Sequence, residues 1–410
     1  MNTEPENTAP TATPPETNAA ETCRLQRLDG MKGVGRAAKL TFSMKQIILH
    51  RIGAVQTGAA ETDRSFSGTT IKLGLDIHAA SYVVAVQEDH ATPKPARRFR
   101  PEEFVPWVET LLAKGHRVFV VYEACGFGFG LCRRLNALGA VCYVIAPRQL
   151  DEARKGVKTD DLDAGVLCQR LSRYVEGNKN ELAVIRIPTE EEEQQRHIHR
   201  QREALVRART KLQAQGRGLL VTHGQPAPAR WWRAQGWKAL GTLLPAWLME
   251  RLEVFRPVLA TLDTQIAALT AELEKAASPD LPSGLGKLTQ VVIRREVCDW
   301  SRFKNRRQVS SYTGLCPGEY SSGGKRMPGA VTKHGNPRLR AALVELAWRL
   351  VRFQPDYGPI KKRILVLAKG ARATGAARKK AIVAVARQLA VDLWRWQTGR
   401  CTAAQLGFQP

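Results

Sequence analysis

Four acids have the setting that metal-assisted phosphodiester chemistry needs. Asp76 stands inside the apolar run 71–77, where a carboxylate without a partner is costly to bury. Glu123 ends a second apolar run, directly before the Gly-rich segment 124–130. Asp160 and Asp163 are three residues apart at the start of a helical pattern, so both face one side. Clustered carboxylates repel one another unless a divalent ion neutralises them, and oxygen ligands favour Mg²⁺ or Mn²⁺. Such ions activate a nucleophile and stabilise a leaving oxygen during phosphodiester cleavage. Taken singly, each acid has a plainer use as a turn residue, a cap or a partner of the helix dipole. Their joint placement favours the metal cluster. Asp161 competes with Asp160, because a sequence does not fix the phase of a helix start.

A second constellation runs from Tyr320 through Ser321, Ser322, Gly323 and Gly324 to Lys325. Its glycines let backbone approach a phosphate, Lys325 supplies charge, and an activated serine can attack phosphorus. By residue type alone an ordinary loop is favoured. Basic residues surround it: Arg294, Arg295, Arg302, Lys304, Arg306, Arg307, Lys333, Arg338 and Arg340. Their density favours contacts with nucleic-acid backbone over a merely solvated face, and Lys325, Lys333, Arg338, Arg340, Arg306 and Arg307 are the expected binding residues. The Gly-Leu-Gly turn ending at Gly286 suits either a phosphate or a plain helix start. His197 and His199 are expected to be solvated on a charged helix. Trp231, Trp232 and Trp237 suit stacking on bases, but burial at a helix junction suits them equally.

The elements that must position these residues follow from the apolar pattern. Strands are expected at 71–77, 81–87, 94–100, 117–123 and 141–146, with helices at 101–114, 128–138 and 160–174. This βββαβαβα order predicts a mixed sheet with an antiparallel hairpin and parallel strands. In a sheet of the RNase H type, strands one and four are neighbours under the last helix, and the four acids converge. From Thr189, which forms a capping box with Glu192, apolar residues recur at seven-residue spacing (Ile198, Leu205, Leu212, Leu219). A second seam runs from Leu252 to Leu273 in alternating steps of four and three. These predict two long helices, packed on each other or pairing between subunits. Near residue 281 a Pro-Ser-Gly-Leu-Gly turn, a helix, a Gly-rich segment and helices at about 337–353 and 376–396 follow.

The chain's 410 residues suffice for two or three domains, and its net charge of +25 points to a polyanionic partner. The first 22 residues hold four acids and no Lys or Arg, so the basic excess lies wholly beyond them. No apolar run approaches the length of a membrane span, and no signal peptide is visible. The eight cysteines are scattered without a C-x-x-C, which fits a reducing cytoplasm, with a nucleoid-associated protein expected. The expected domains are a disordered or weakly ordered extension (1–70), an α/β domain (71–180), coiled-coil helices (188–278), a mainly helical C-terminal domain (281–360) and basic C-terminal helices (361–410).

Together the motifs carry a resemblance. The segments Gly74 to His78, Tyr122 to Ala124 and Lys158 to Ala164 resemble the DEDD-type insertion-sequence transposases of the insertion sequence 110 group. So do Phe303 to Gln308, Ser311 to Pro317, Ser321 to Lys325, and Thr332 to Asn336 leading to Arg340. The likeness spans about 71–357. It implies a resolvase-like, RNase H-type domain, a coiled coil and a second, mainly α-helical domain. It further implies metal-binding acids at Asp76, Glu123, Asp160 and Asp163, and a serine nucleophile at Ser321 that forms a covalent serine–DNA intermediate. Guidance by a structured RNA and action as a dimer or larger homo-oligomer also follow from the resemblance. The Gly- and Phe-rich segment after Glu123 and both terminal extensions depart from the shared pattern.

Overall fold

In the computed structural model the described residues are 68–147, 160–320, 324 and 327–409. They form two compact units divided between Ile185 and Arg186.

The first unit is built on a five-stranded sheet. Its elements are β1 (Thr70–Ile77), β2 (Tyr82–Glu88), β3 (Arg97–Phe99), α1 (Pro101–Ala113), β4 (Arg117–Glu123), α2 (Gly130–Leu138), β5 (Val141–Ile145) and α3 (Asp160–Val175). The expected βββαβαβα order is found. The strand order is β3-β2-β1-β4-β5. β1 pairs antiparallel with β2 and parallel with β4, and β4 pairs parallel with β5. Such a mixed sheet is compatible with an RNase H-like domain. The third strand is shorter than expected: Lys94 N still donates to Val86 O at 2.8 Å, but Pro95 has no N–H to give, and the ladder resumes only at Arg97.

Alternation along β1 explains the two faces. Leu73 and Leu75 are fully buried on one, beneath α1 and α2 with Phe104, Val108 and Leu135. Each such side chain contributes about 1.5–3 kcal/mol by leaving water. Lys72, Gly74 and Asp76 take the other face, against α3. Gly74 is required there: a methyl group on it would fall 2.8 Å from Cys168 Cα, and closer still to Ala164 O and Cys168 N. Helix α3 therefore lies directly on the strand backbone, and Cys168 Sγ donates to Lys72 O at 3.3 Å. Lys72 is a buried cation, 2% exposed. Its Nζ donates to Asp89 O (2.8 Å), Ser172 Oγ (2.8 Å) and Glu176 Oε1 (2.7 Å), which pins the far end of α3. Burial of Lys is offset here because every proton has an acceptor.

The second unit holds α4 (Glu190–Thr222), α5 (Ala234–Gly241), α6 (Ala246–Glu253), α7 (Arg256–Lys275), α8 (Lys287–Val297), α9 (Arg306–Thr313), β6 (Pro317–Glu319), β7 (Pro328–Val331), α10 (Pro337–Phe353), α11 (Gly358–Lys361), α12 (Ile364–Leu367) and α13 (Gly375–Gln397). The capping box closes as expected: Thr189 Oγ1 accepts from Glu192 N at 3.2 Å, and Thr189 N donates to Glu192 Oε2 at 3.0 Å. Helices α4 and α7 pack on each other, held by Arg209 to Asp263 (2.8 Å) and Arg202 to Thr270 (2.6 Å). The second seam begins later than its spacing suggests. The chain breaks between α6 and α7, where Pro257 starts a new helix, so Leu259, Ile266 and Leu273 form its buried line. At the far end of α4, Trp231 and Trp232 are buried among Leu220, Leu240 and Leu248. Of the two uses open to these rings, burial is the one found.

A larger core joins α8, α10 and α13 on both sides of residue 360, from Leu285 and Leu343 to Leu389 and Phe408. Strands β6 and β7 pair antiparallel, and Tyr320 N donates to Met327 O at 2.9 Å. Strands of three and four residues that begin with Pro give no alternation for a sequence to show.

Candidate metal centre

The parallel register of β1 and β4 places Leu75 beside Tyr122. The next residue of each strand is an acid, Asp76 and Glu123, so both stand at neighbouring carboxyl ends. Helix α3, seated on Gly74, begins with Asp160 and carries Asp163 one turn on. All four acids are half-buried.

The tightest group joins Asp76, Asp160 and a residue that the sequence did not single out, His78. One ligand atom from each lies within 4.8 Å of the others. His78 Nε2 is 3.3 Å from Asp76 Oδ2 and 3.5 Å from Asp160 Oδ2. Neighbouring ligands of a small octahedral ion, with bonds of about 2.1 Å, sit about 3 Å apart. The spacing observed is close to that, and the donor set of two carboxylate oxygens and one imidazole nitrogen suits a first-row divalent metal. The residues present therefore fit an ion. His78 was legible in principle: two residues after Asp76 on a strand end, it shares that residue's side of the sheet. Arg98 on β3 approaches Asp160 Oδ2 at 3.8 Å and brings a cation to the rim. Glu123 and Asp163 flank this group without belonging to its 4.8 Å cluster among the described residues. Asp161, the competitor of Asp160, is exposed and outside the cluster.

Ser321 and Lys325 lie outside the described residues. Of the other expected nucleic-acid contacts, Arg306, Arg307 and Lys333 are exposed. Arg338 donates to Glu203 at 2.6 Å, and Arg340 to the carbonyls of Thr313 (3.2 Å) and Lys333 (3.0 Å). Arg302 covers the rings of Phe303 and Tyr312 at 4.5 and 4.3 Å.

One polar node was missed. Glu296 is fully buried, and accepts from His199 Nε2 (2.7 Å), Arg200 (3.0 and 3.1 Å) and Asn336 Nδ2 (2.8 Å). His199 is therefore not the solvated residue expected from its charged helix; it is 4% exposed. Burial acts to raise the Glu296 carboxyl, but the hydrogen bonds from His199, Arg200 and Asn336 outweigh it and hold the group well below the usual range. Asn336 also caps α10, accepting from Arg338 N and Leu339 N at 3.0 and 3.1 Å. Tyr312 donates to Glu296 O at 2.9 Å. Residues of two separated motifs thus meet at one buried residue, Tyr312 at its backbone carbonyl and Asn336 at its carboxylate.

Among the described residues no helix is long and apolar enough to cross a membrane. A DEDD-type transposase family model matches residues 73–224, and that of the transposase IS116/IS110/IS902 family matches residues 282–359. The chain is 32% identical to the putative transposase y4rJ of Sinorhizobium fredii, over 68% of this chain and 76% of that protein. It is 31% identical to a probable family 20 transposase of Pseudomonas aeruginosa, over 57% and 71%. To the transposase for insertion sequence element IS1111A of Coxiella burnetii it is 27% identical over 81% and 92%. The chain belongs to the IS116/IS110/IS902 family, and is a DNA transposase of the DEDD type.

Proposed function

We propose that this transposase cuts and rejoins DNA in two chemical stages, with Asp76, Glu123, Asp160 and Asp163 holding Mg²⁺ or Mn²⁺ and Ser321 acting as the nucleophile. The observation that carries the metal half is the Asp76–His78–Asp160 cluster at the carboxyl end of the central strand β1. A divalent ion bound there would neutralise the acids and polarise a phosphodiester. His78 is a further ligand in this proposal, and its nitrogen favours Mn²⁺ over Mg²⁺.

The serine half rests on the resemblance of the segment 321–325 to the family pattern. Ser321 Oγ forms a bond to phosphorus while the bond to the departing strand oxygen breaks. The serine proton is given up and the departing oxygen ends as a hydroxyl. The phosphate ester to Ser321 conserves the bond, so attack by the hydroxyl of a new strand restores a phosphodiester and frees the serine. A structured noncoding RNA as guide, and a dimer or tetramer as the working state, complete the proposal by analogy with the family.

The test is a Ser321→Ala variant on DNA carrying the element's ends. Wild type is expected to leave a protein–DNA adduct on a denaturing gel, and the variant none. If the variant cuts branched DNA at the full rate and leaves hydroxyl and phosphate ends, the protein is instead a metal-dependent, structure-selective endonuclease of the resolvase type.

A further inference from the structure

On the face of the sheet opposite the carboxylates, at the same carboxyl ends of β1 and β4, lies a cavity of about 180 Å³. We propose that it takes one unstacked nucleobase of the DNA strand held at the carboxylates, with an adjoining phosphate on the first turn of α2. The proposal rests on this chain's action on DNA and adds a second point of contact to it.

Position is the first argument. Ile77 and Tyr122 line the cavity, and they are the chain neighbours of Asp76 and Glu123. Adjacent residues are about 3.8 Å apart, so a strand whose base enters here passes the acids within one or two nucleotides. The second argument is an unmet polar group. Tyr122 is 1% exposed, and its hydroxyl is buried with no hydrogen-bond partner. The Cys132 amide beside it can only donate, so the phenol proton is left without an acceptor. A buried phenol left so is costly, and nearly all such groups in folded proteins find a partner. Tyr122 lines the cavity, and a base that displaces the side chains closed over its hydroxyl offers ring nitrogens and carbonyl oxygens that accept the phenol proton. Burial pushes the Tyr122 pKa up, so that proton is retained at any working pH.

The rim supplies the third argument. Helix α2 starts at Gly130, on the cavity wall, with no side chain capping its first amides. Arg134, one turn on, also lines the cavity and is exposed. Open amides and a guanidinium suit a phosphate. Phe127 stands at the mouth, 55% exposed, within the Gly- and Phe-rich segment that departs from the family's shared pattern. An aromatic ring kept in water beside an aromatic-lined cavity suits stacking of a base. Enzymes that act on DNA use such snug pockets for extruded bases.

The experiment uses the full chain and a single-stranded oligonucleotide carrying one 5-iododeoxyuridine, irradiated and mapped by mass spectrometry, with affinity measured alongside. Adducts are expected on Phe127 or Tyr82. Phe127→Ala, a surface change, should weaken binding by about 5- to 160-fold, the range of one base–aromatic stack. Leu131→Trp, which fills the cavity, should abolish the adduct while a circular dichroism melt reports its folding. If Leu131→Trp does not fold, the wild-type map and Phe127→Ala decide the matter. Adducts that map elsewhere, or an affinity unchanged in Phe127→Ala, overturn the pocket and leave the DNA-cutting function standing. A wild type that binds no oligonucleotide overturns both.

Discussion

Replacing Gly74 by Ala tests whether the carboxylates are brought together by direct seating of α3 on β1. The added methyl would meet Cys168 Cα at 2.8 Å, where ordinary contact begins at 3.4 Å, and two backbone atoms lie closer. Backbone cannot rotate aside, so α3 must retreat by about 1 Å, an overpacking that costs about 1–3 kcal/mol. For a domain of this size the unfolding midpoint of the first unit should fall by about 5–20 °C. The retreat also draws Asp160 away from Asp76 and His78. At an Mn²⁺ concentration of about 100 times the wild-type dissociation constant, the wild type should gain about 2.7 kcal/mol. A variant that binds tenfold more weakly should gain only about 1.4 kcal/mol. Calorimetry with and without Mn²⁺ reads both effects. Gly165→Ala is the internal control: it lies in the same helix with nothing within 4 Å of the new methyl. That change should stabilise by about 0.5–1 kcal/mol, as removal of a mid-helix glycine does. A Gly74→Ala protein that melts within 1 °C of wild type and responds equally to Mn²⁺ would refute the reasoning, with that tolerance set at about the error of a ΔΔG near zero.

Three further outcomes are expected. The Glu176 carboxyl is lowered to about 2 by hydrogen bonds from Lys72 and Ser172. Its contribution is thus complete above the ordinary value of 4.5 and is lost as pH falls toward about 2; in urea titrations Glu176→Gln should lag wild type at pH 7 and converge with it in acid, and a constant gap would exclude this linkage. Glu296→Gln leaves Arg200 and His199 without their buried counter-charge and should cost about 3–5 kcal/mol, measured by urea unfolding; a loss below about 1 kcal/mol would show the node to be energetically idle. Mn²⁺ bound to wild type should show nitrogen modulation in pulsed electron paramagnetic resonance, and His78→Asn should lose it. A wild-type spectrum without that modulation removes His78 from the ligand set.

The first unit was legible because its strands are strongly periodic. An acid inside an apolar run, as at Asp76, is a conflict that a sequence displays openly. His78 was overlooked because it sits past the apolar run, where polarity reads as a turn. Glu296 was hidden for the opposite reason. It is flanked by Arg294 and Arg295 in a basic helix, so nothing local marks it as the side chain that faces inward. His199 is hidden likewise, since its partner among the described residues, Glu296, is 97 residues distant along the chain. The β6–β7 hairpin lacks the alternation that longer strands show, and the segment 321–325 reads as a loop whatever its chemistry. Function in this chain became readable where motifs were combined, and not from any one of them.

Helix α4 has a mechanical consequence. His199, near its start, is locked to Glu296, and Leu220, near its end, is locked among the tryptophans. At 1.5 Å per residue these anchorages are about 32 Å apart. The helix is braced along its length by α7, so it behaves as a lever more than as a tether. A tilt of about 5° at the Glu296 end would sweep the tryptophan end through about 3 Å, by the same rise per residue. A sweep of that size would be nearly one base-pair step.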